Sequence, residues 1–307
     1  MLRDSCLRGP KTYENEVLMR HTLLLLAGTV LAMGTAPARA DVTITPDVVY
    51  GHKDGLAMTF DVFTPTEKSN GAGILFMVSG GWYSRWNPPE KAQGMFKPLT
   101  DKGFTVFAVR HGSSPKFSIP EAVSDVRRSV RFIRLHAERF HVDPNRLGVY
   151  GYSAGGHLSL MLGTASDEGD PKSNDPIEKV SDRVNAVVAF VAPSDLRIMV
   201  HEAPNRLPAY ARFPALTLDM KSAAVHSPLL HATADDPPTL LIAGDADDLV
   251  PVAHSRNMQQ AFQDAKVSSE LFELPGAGHG FQGEDARVAT EKMVSWFEKQ
   301  FVNASAQ

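Results

Sequence analysis

The stretch "GVYGYSAGGH", residues 148–157, sets one serine among small residues directly after an apolar run. "RLGVYGY" reads as a strand and "AGGHLSLML" as a helix, so Ser153 falls on the turn between them. A turn this sharp strains the serine backbone and brings the residues two before and two after it into close approach. Gly151 and Gly155, without a Cβ, meet that demand, and Ala154 and Gly156 ease the packing. The G-x-S-x-G spacing marks Ser153 as a candidate nucleophile on a strand-to-helix elbow.

Outward from this point, strand-like runs alternate with helix-like stretches. Strands are expected at 43–50, 57–63, 73–79, 104–110, 146–152, 184–191, 239–243 and 269–274. The central runs are almost continuously apolar, as parallel strands covered on both faces require. Helices are expected at 120–140, 154–163, 253–265 and 284–301. The alternation predicts an α/β fold on a mostly parallel eight-stranded sheet with helices on both faces. The first two strands lack an intervening helix and read as an antiparallel edge hairpin. Two segments break the rhythm. Residues 164–183 are polar and turn-rich; their aspartates lack an EF-hand spacing and read as a solvated surface loop. Residues 194–238 are proline-rich and aperiodic, and an insertion of that length predicts a lid or pocket wall.

A serine hydroxyl needs a base, itself held by a carboxylate. "TLLIAGDADDLVP" ends a strand at Gly244 and then offers Asp245, Asp247 and Asp248. "ELFELPGAGHGF" ends a strand near Leu274 and presents His279 between Gly278 and Gly280. Backbone N–H groups for a developing oxyanion are expected from Ala154, directly after the nucleophile, and from Gly80 and Gly81 in "FMVSGGWYSRW". Trp82, Tyr83, Trp86, Tyr152 and Phe281 adjoin these residues in sequence and are candidate pocket walls.

Composition narrows the setting. Residues 22–34, "TLLLLAGTVLAMG", form an apolar core after Arg20 and His21, and Ala38 and Ala40 occupy A-x-A positions. This reads as an export signal cleaved after Ala40, its core shorter than the about 20 residues of a membrane span. Residues 1–18 are polar and precede Met19, where translation is expected to begin. The chain carries a formal charge of −4. Residues 1–40 hold five Lys/Arg against three Asp/Glu, so residues 41–307, read as one domain, carry −6. That balance argues against nucleic acid or an anionic membrane as partner. The one cysteine, Cys6, lies in the leader, which excludes disulfides and thiol catalysis from the exported chain.

From about residue 45 to 301 the chain resembles the α/β-hydrolase superfamily, and within it secreted carboxylesterases related to hormone-sensitive lipase and feruloyl esterases. "HVDPNRLGVYGYSAGGHLSLML" is similar to that family's D-P-x-R-I-x-V-x-G-x-S-A-G-G-H block, and "PGAGHGF" to its histidine block. "GDADDLVP" resembles G-x-x-D-x-x-V-P, which implies Asp247 as the triad acid. The resemblance implies acyl transfer by Ser153, His279 and Asp247, without metal or organic cofactor. The expected substrate is a small-molecule or carbohydrate-linked ester with a short or aromatic acyl group. One block departs. Where the family reads H-G-G-G-W, this chain has Val78 and Ser79 before Gly80, Gly81 and Trp82. The donor pair is then Gly80 with Gly81, or Gly81 with Trp82. A prolyl-oligopeptidase-like peptidase is the second reading, lacking room for the usual propeller, and a non-catalytic binding protein is the third.

Overall fold

A computed structural model describes residues 42–302; the leader assigned to 1–40 lies outside the described residues. The hairpin comes first: β1 (Val42–Lys53) and β2 (Leu56–Pro65) pair antiparallel. Asp54 and Gly55 connect them with φ of 51° and 78°, the left-handed pair that a two-residue hairpin turn requires. The remaining strands are β3 (Gly73–Met77), β4 (Thr105–Val109), β5 (Leu147–Tyr152), β6 (Ala186–Phe190), β7 (Thr239–Gly244) and β8 (Ser269–Leu274). All eight join one sheet in the order β1-β2-β4-β3-β5-β6-β7-β8. β2 runs antiparallel to β4, and every pairing from β4 to β8 is parallel.

Successive strand side chains point to opposite faces, and here both faces are covered. Leu75 and Met77 of β3 join the cluster formed by α2 (Ile119–Leu135), α3 (Ala154–Thr164) and α5 (Ala253–Asp264). Ile74 of β3 joins the opposite cluster, with α1 (Gln93–Thr100) and α6 (Gly283–Phe301). Phe297 of α6 is fully buried there, worth about 2–3 kcal/mol by area alone. α2 starts on a capping box in which Ser118 accepts from the Glu121 amide and Glu121 reaches back. It ends at Leu135, and a 3-10 turn (Ala137–Phe140) completes the stretch read as one helix. α1 was not expected: it has eight residues, no side-chain cap and an internal Pro98, so its sequence carries little helical signal.

The loop 164–183 lies at the surface, as expected, and its acidic side chains also engage α2. Asp167, Asp175, Glu178 and Asp182 pair with Arg127, Arg128 and Arg131 of α2, and the Asp182 side chain is wholly buried. The acidic residues exist to match a basic helix face. Residues 194–238 fold into short 3-10 turns and α4 (Met220–Val225). Proline punctuation keeps each piece short.

Candidate active site

Ser153 sits between the end of β5 and the start of α3 with φ 54° and ψ −119°, a region that costs a non-glycine residue about 1–3 kcal/mol. A Cβ on Gly151 would lie 2.4 Å from the Gly155 backbone, and one on Gly155 would lie 2.6 Å from the Met77 carbonyl. The strain is held by the Ser153 amide, which donates to the Phe190 carbonyl at 2.9 Å. Val191, the residue after β6, is also at positive φ.

The loops after β7 and β8 bring the two partners to this serine. His279 Nδ1 donates to Asp247 Oδ2 at 2.8 Å, and His279 Nε2 lies 2.9 Å from Ser153 Oγ. A carboxylate only accepts, so Nδ1 carries the proton and Nε2 presents a lone pair to the serine hydroxyl. Asp247 is buried, and its Oδ1 accepts from the amides of Leu249 and Val250 at 2.9 and 2.8 Å. The other aspartates do different work. Asp245 accepts from the Gly276 amide at 2.6 Å, tying the two loops together, while Asp248 faces solvent.

The oxyanion loop corrects one expectation. The Gly80 amide donates to the Tyr83 carbonyl at 3.0 Å and is therefore committed. The amides of Gly81 and Trp82 meet no acceptor among the described residues, and both residues sit at φ 57°. Ala154, as the first residue of α3, has no acceptor within its helix. The free donors are thus Ala154, Gly81 and Trp82. Val78 leaves the loop without the brace of the related blocks, but His111 supplies one: its Nε2 lies 2.8 Å from Ser79 Oγ. His111 was not singled out in the sequence, since it follows β4 and meets Ser79 only through the β3–β4 pairing.

A second latch runs through His157 of α3. Trp82 donates its indole N–H to Nδ1 at 3.2 Å, and Nε2 donates to the His226 carbonyl at 2.8 Å. Burial pushes the His157 pKa down to about 4, and that of buried His254 likewise to about 4. Both are neutral in the fold, whereas an unfolded histidine titrates near 6.5. Between about 4 and 6.5 the unfolded chain binds more protons, so stability falls with falling pH. Each histidine removes roughly 1 kcal/mol per pH unit across that window. Urea titrations stepped down from neutral pH check this; a midpoint constant through the window refutes it.

Two cavities share Ser153 in their lining. A slot of about 20 Å³ is lined by Gly81, Trp82, Met199, Tyr210, Phe213 and Leu249, among others, room for about one methyl-sized group. The 194–238 insertion supplies Met199, Tyr210 and Phe213 to that lining. A cleft of about 420 Å³ is lined by Ser79, Gly80, Tyr152, His279 and Phe281, among others. A groove of about 630 Å³ between α1 and α6 shares Ala286 and Thr290 with that cleft. Trp82, Tyr152 and Phe281 are therefore at the site. Tyr83 lines neither cavity: its side chain is exposed, and its backbone instead holds Gly80. Trp86 is exposed and donates to Asp47 of the hairpin at 3.2 Å.

Sheet order, nucleophile turn and loop placement together define an α/β-hydrolase fold. The chain belongs to the BD-FAE family, whose model matches residues 60–262. It is 30% identical over 242 residues to the probable carboxylic ester hydrolase LipM of Mycobacterium tuberculosis, covering 76% of this chain and 56% of that protein. Esterase LipC of the same organism is 28% identical over 275 residues, covering 85% and 66%. The chain thus spans less than two thirds of the length of these relatives. Among solved structures, an acetyl ester-xyloside bifunctional hydrolase from Caldicellulosiruptor lactoaceticus matches with a TM-score of 0.70 at 24% identity, covering 82% of this chain and 95% of that one.

Proposed function

We propose that this chain hydrolyses carboxylic esters carrying short acyl groups, through an acyl-enzyme on Ser153. The observation that carries the reading is the unbroken relay from Asp247 through His279 to Ser153, which lines both a methyl-sized slot and an open cleft. The names of LipM and LipC support ester hydrolysis. In the first step Ser153 Oγ bonds to the ester carbon and its proton passes to His279 Nε2. Asp247 stabilises the resulting imidazolium. The carbonyl oxygen becomes an oxyanion held by the free amides of Ala154, Gly81 and Trp82. The imidazolium then protonates the departing alkoxide, so the alcohol must leave on the side of His279. His279 lines the cleft and not the slot; the cleft takes the alcohol and the slot takes the acyl group. Water activated by His279 frees the acid.

The slot size favours acetyl over long-chain or aromatic acyl groups. Phe213 closes it against Gly81, where an added Cβ would sit 2.7 Å from the Phe213 ring. Across p-nitrophenyl esters from acetate to palmitate, kcat/KM is expected to peak at acetate. Phe213→Ala should raise the butyrate-to-acetate ratio at least tenfold, since one methylene is worth about 10–200-fold in an apolar pocket. A wild-type optimum at long chains, or a ratio unmoved by Phe213→Ala, refutes the slot assignment.

Export of a single hydrolase domain, residues 41–307, belongs to the same reading. Its support is the cationic start, apolar core and A-x-A ending of the leader. No described helix is long and apolar enough to cross a membrane. Intact-mass measurement of exported protein should give a chain beginning at Asp41.

A further inference from the structure

The departure at Ser79 has a chemical consequence beyond bracing. We propose that Ser79, locked by His111, is an acceptor-only recognition point for the leaving group, selecting esters whose alcohol carries a second hydroxyl beside the acylated oxygen. The inference rests on the ester-hydrolase reading above.

Two side chains fix where the hydrogens lie. His111 Nδ1 lies 2.8 Å from the Gly112 carbonyl, and a carbonyl only accepts, so the proton resides on Nδ1. Nε2 then offers a lone pair, and Ser79 Oγ, 2.8 Å away, must donate its single hydrogen to it. His111 is buried, and burial holds its pKa below the ordinary histidine value, so the neutral form persists at neutral pH.

The ring is held in place from several sides. The Gly112 amide donates to Asp125 Oδ2 at 2.8 Å, and Lys53 pairs with the same oxygen at 2.8 Å. The His111 amide reaches Ser84 Oγ at 3.3 Å, and the Ser84 amide donates to Ser113 Oγ at 2.9 Å. The 79–84 and 111–113 segments are thus laced together. A serine hydroxyl is ordinarily free to donate or accept; this one can only accept.

Ser79 lines the cleft that also holds Ser153 and His279, the side on which the alcohol departs. No described group donates to its oxygen. An ester whose alcohol bears a neighbouring O–H can donate there; an ether or carbonyl at that position cannot, and would face lone pair against lone pair. The cleft, at about 420 Å³, leaves room for an alcohol larger than glycol.

A matched pair of substrates tests this directly: 2-hydroxyethyl acetate against 2-methoxyethyl acetate, which lacks the donor. The full chain is expected to favour the hydroxy ester about five- to tenfold in kcat/KM, the value of one neutral hydrogen bond. Ser79→Ala should bring that ratio close to one, and fluorophosphonate labelling of Ser153 in the variant verifies that its site is intact. A wild type without preference, or a ratio unchanged in Ser79→Ala while both rates fall together, overturns the inference and leaves Ser79 as a brace alone. Absence of hydrolysis of any acetate by the wild type overturns the ester-hydrolase reading and this one with it.

Discussion

Ser153→Ala is expected to lose all covalent labelling by a fluorophosphonate and to lower kcat on p-nitrophenyl acetate by about 10⁶. The size of the effect follows from the relay. Without Oγ the lone pair of His279 has no proton to take, and Asp247 has no imidazolium to stabilise. A residual rate of about 10³ over water is expected to persist, because the Ala154, Gly81 and Trp82 amides remain free. The fold should be unaffected, since the Ser153 side chain caps nothing on α3. Ser153→Gly separates chemistry from strain: it loses activity equally but melts at a higher temperature, because glycine adopts φ 54° without penalty. Labelling that survives at another serine in Ser153→Ala would displace the assignment.

Asp247→Asn is the second large effect, about four orders of magnitude in kcat. The asparagine Oδ1 can still accept from the Leu249 and Val250 amides, so the loop keeps its shape. Its amide nitrogen then faces His279 Nδ1 as a donor. The imidazole proton is driven to Nε2, the nitrogen that must accept from Ser153, and the base is lost while the geometry stands. Asp245→Asn and Asp248→Asn serve as controls and should cost less than about tenfold. The first keeps a side-chain oxygen for the Gly276 amide, and the second points to solvent. A greater loss at Asp248 would show that the acid had been misassigned within the loop. Single-turnover kinetics on all three variants makes the comparison.

Local chemistry made much of this legible without coordinates. The elbow glycines at 151 and 155 are dictated by backbone approach within a few residues, and the edge hairpin shows in the lack of any helix between its two strands. The continuous apolar runs of β4, β5 and β6 announce burial on both faces. Where the signal is short or mixed, it fails. α1 has Pro98 inside it and no cap, and the acidic loop 164–183 looks like any solvated turn until α2 turns its arginines toward it.

The sequence by itself determined the α/β alternation, the edge hairpin, the nucleophile turn and the order in which serine, aspartate and histidine follow one another. Each depends on neighbours along the chain, or on strands whose burial pattern is written in their own residues. The tertiary structure decided which amides are free, because Gly80 is committed by a carbonyl three residues on, in a turn whose closure the sequence leaves open. It also decided that Phe213 closes the slot, that His157 ties Trp82 to the insertion, and that His111 takes the hydrogen of Ser79. Those contacts join residues 32 to 132 positions apart, and packing between separate loops, which leaves no periodic trace in either of them, is what brings them together.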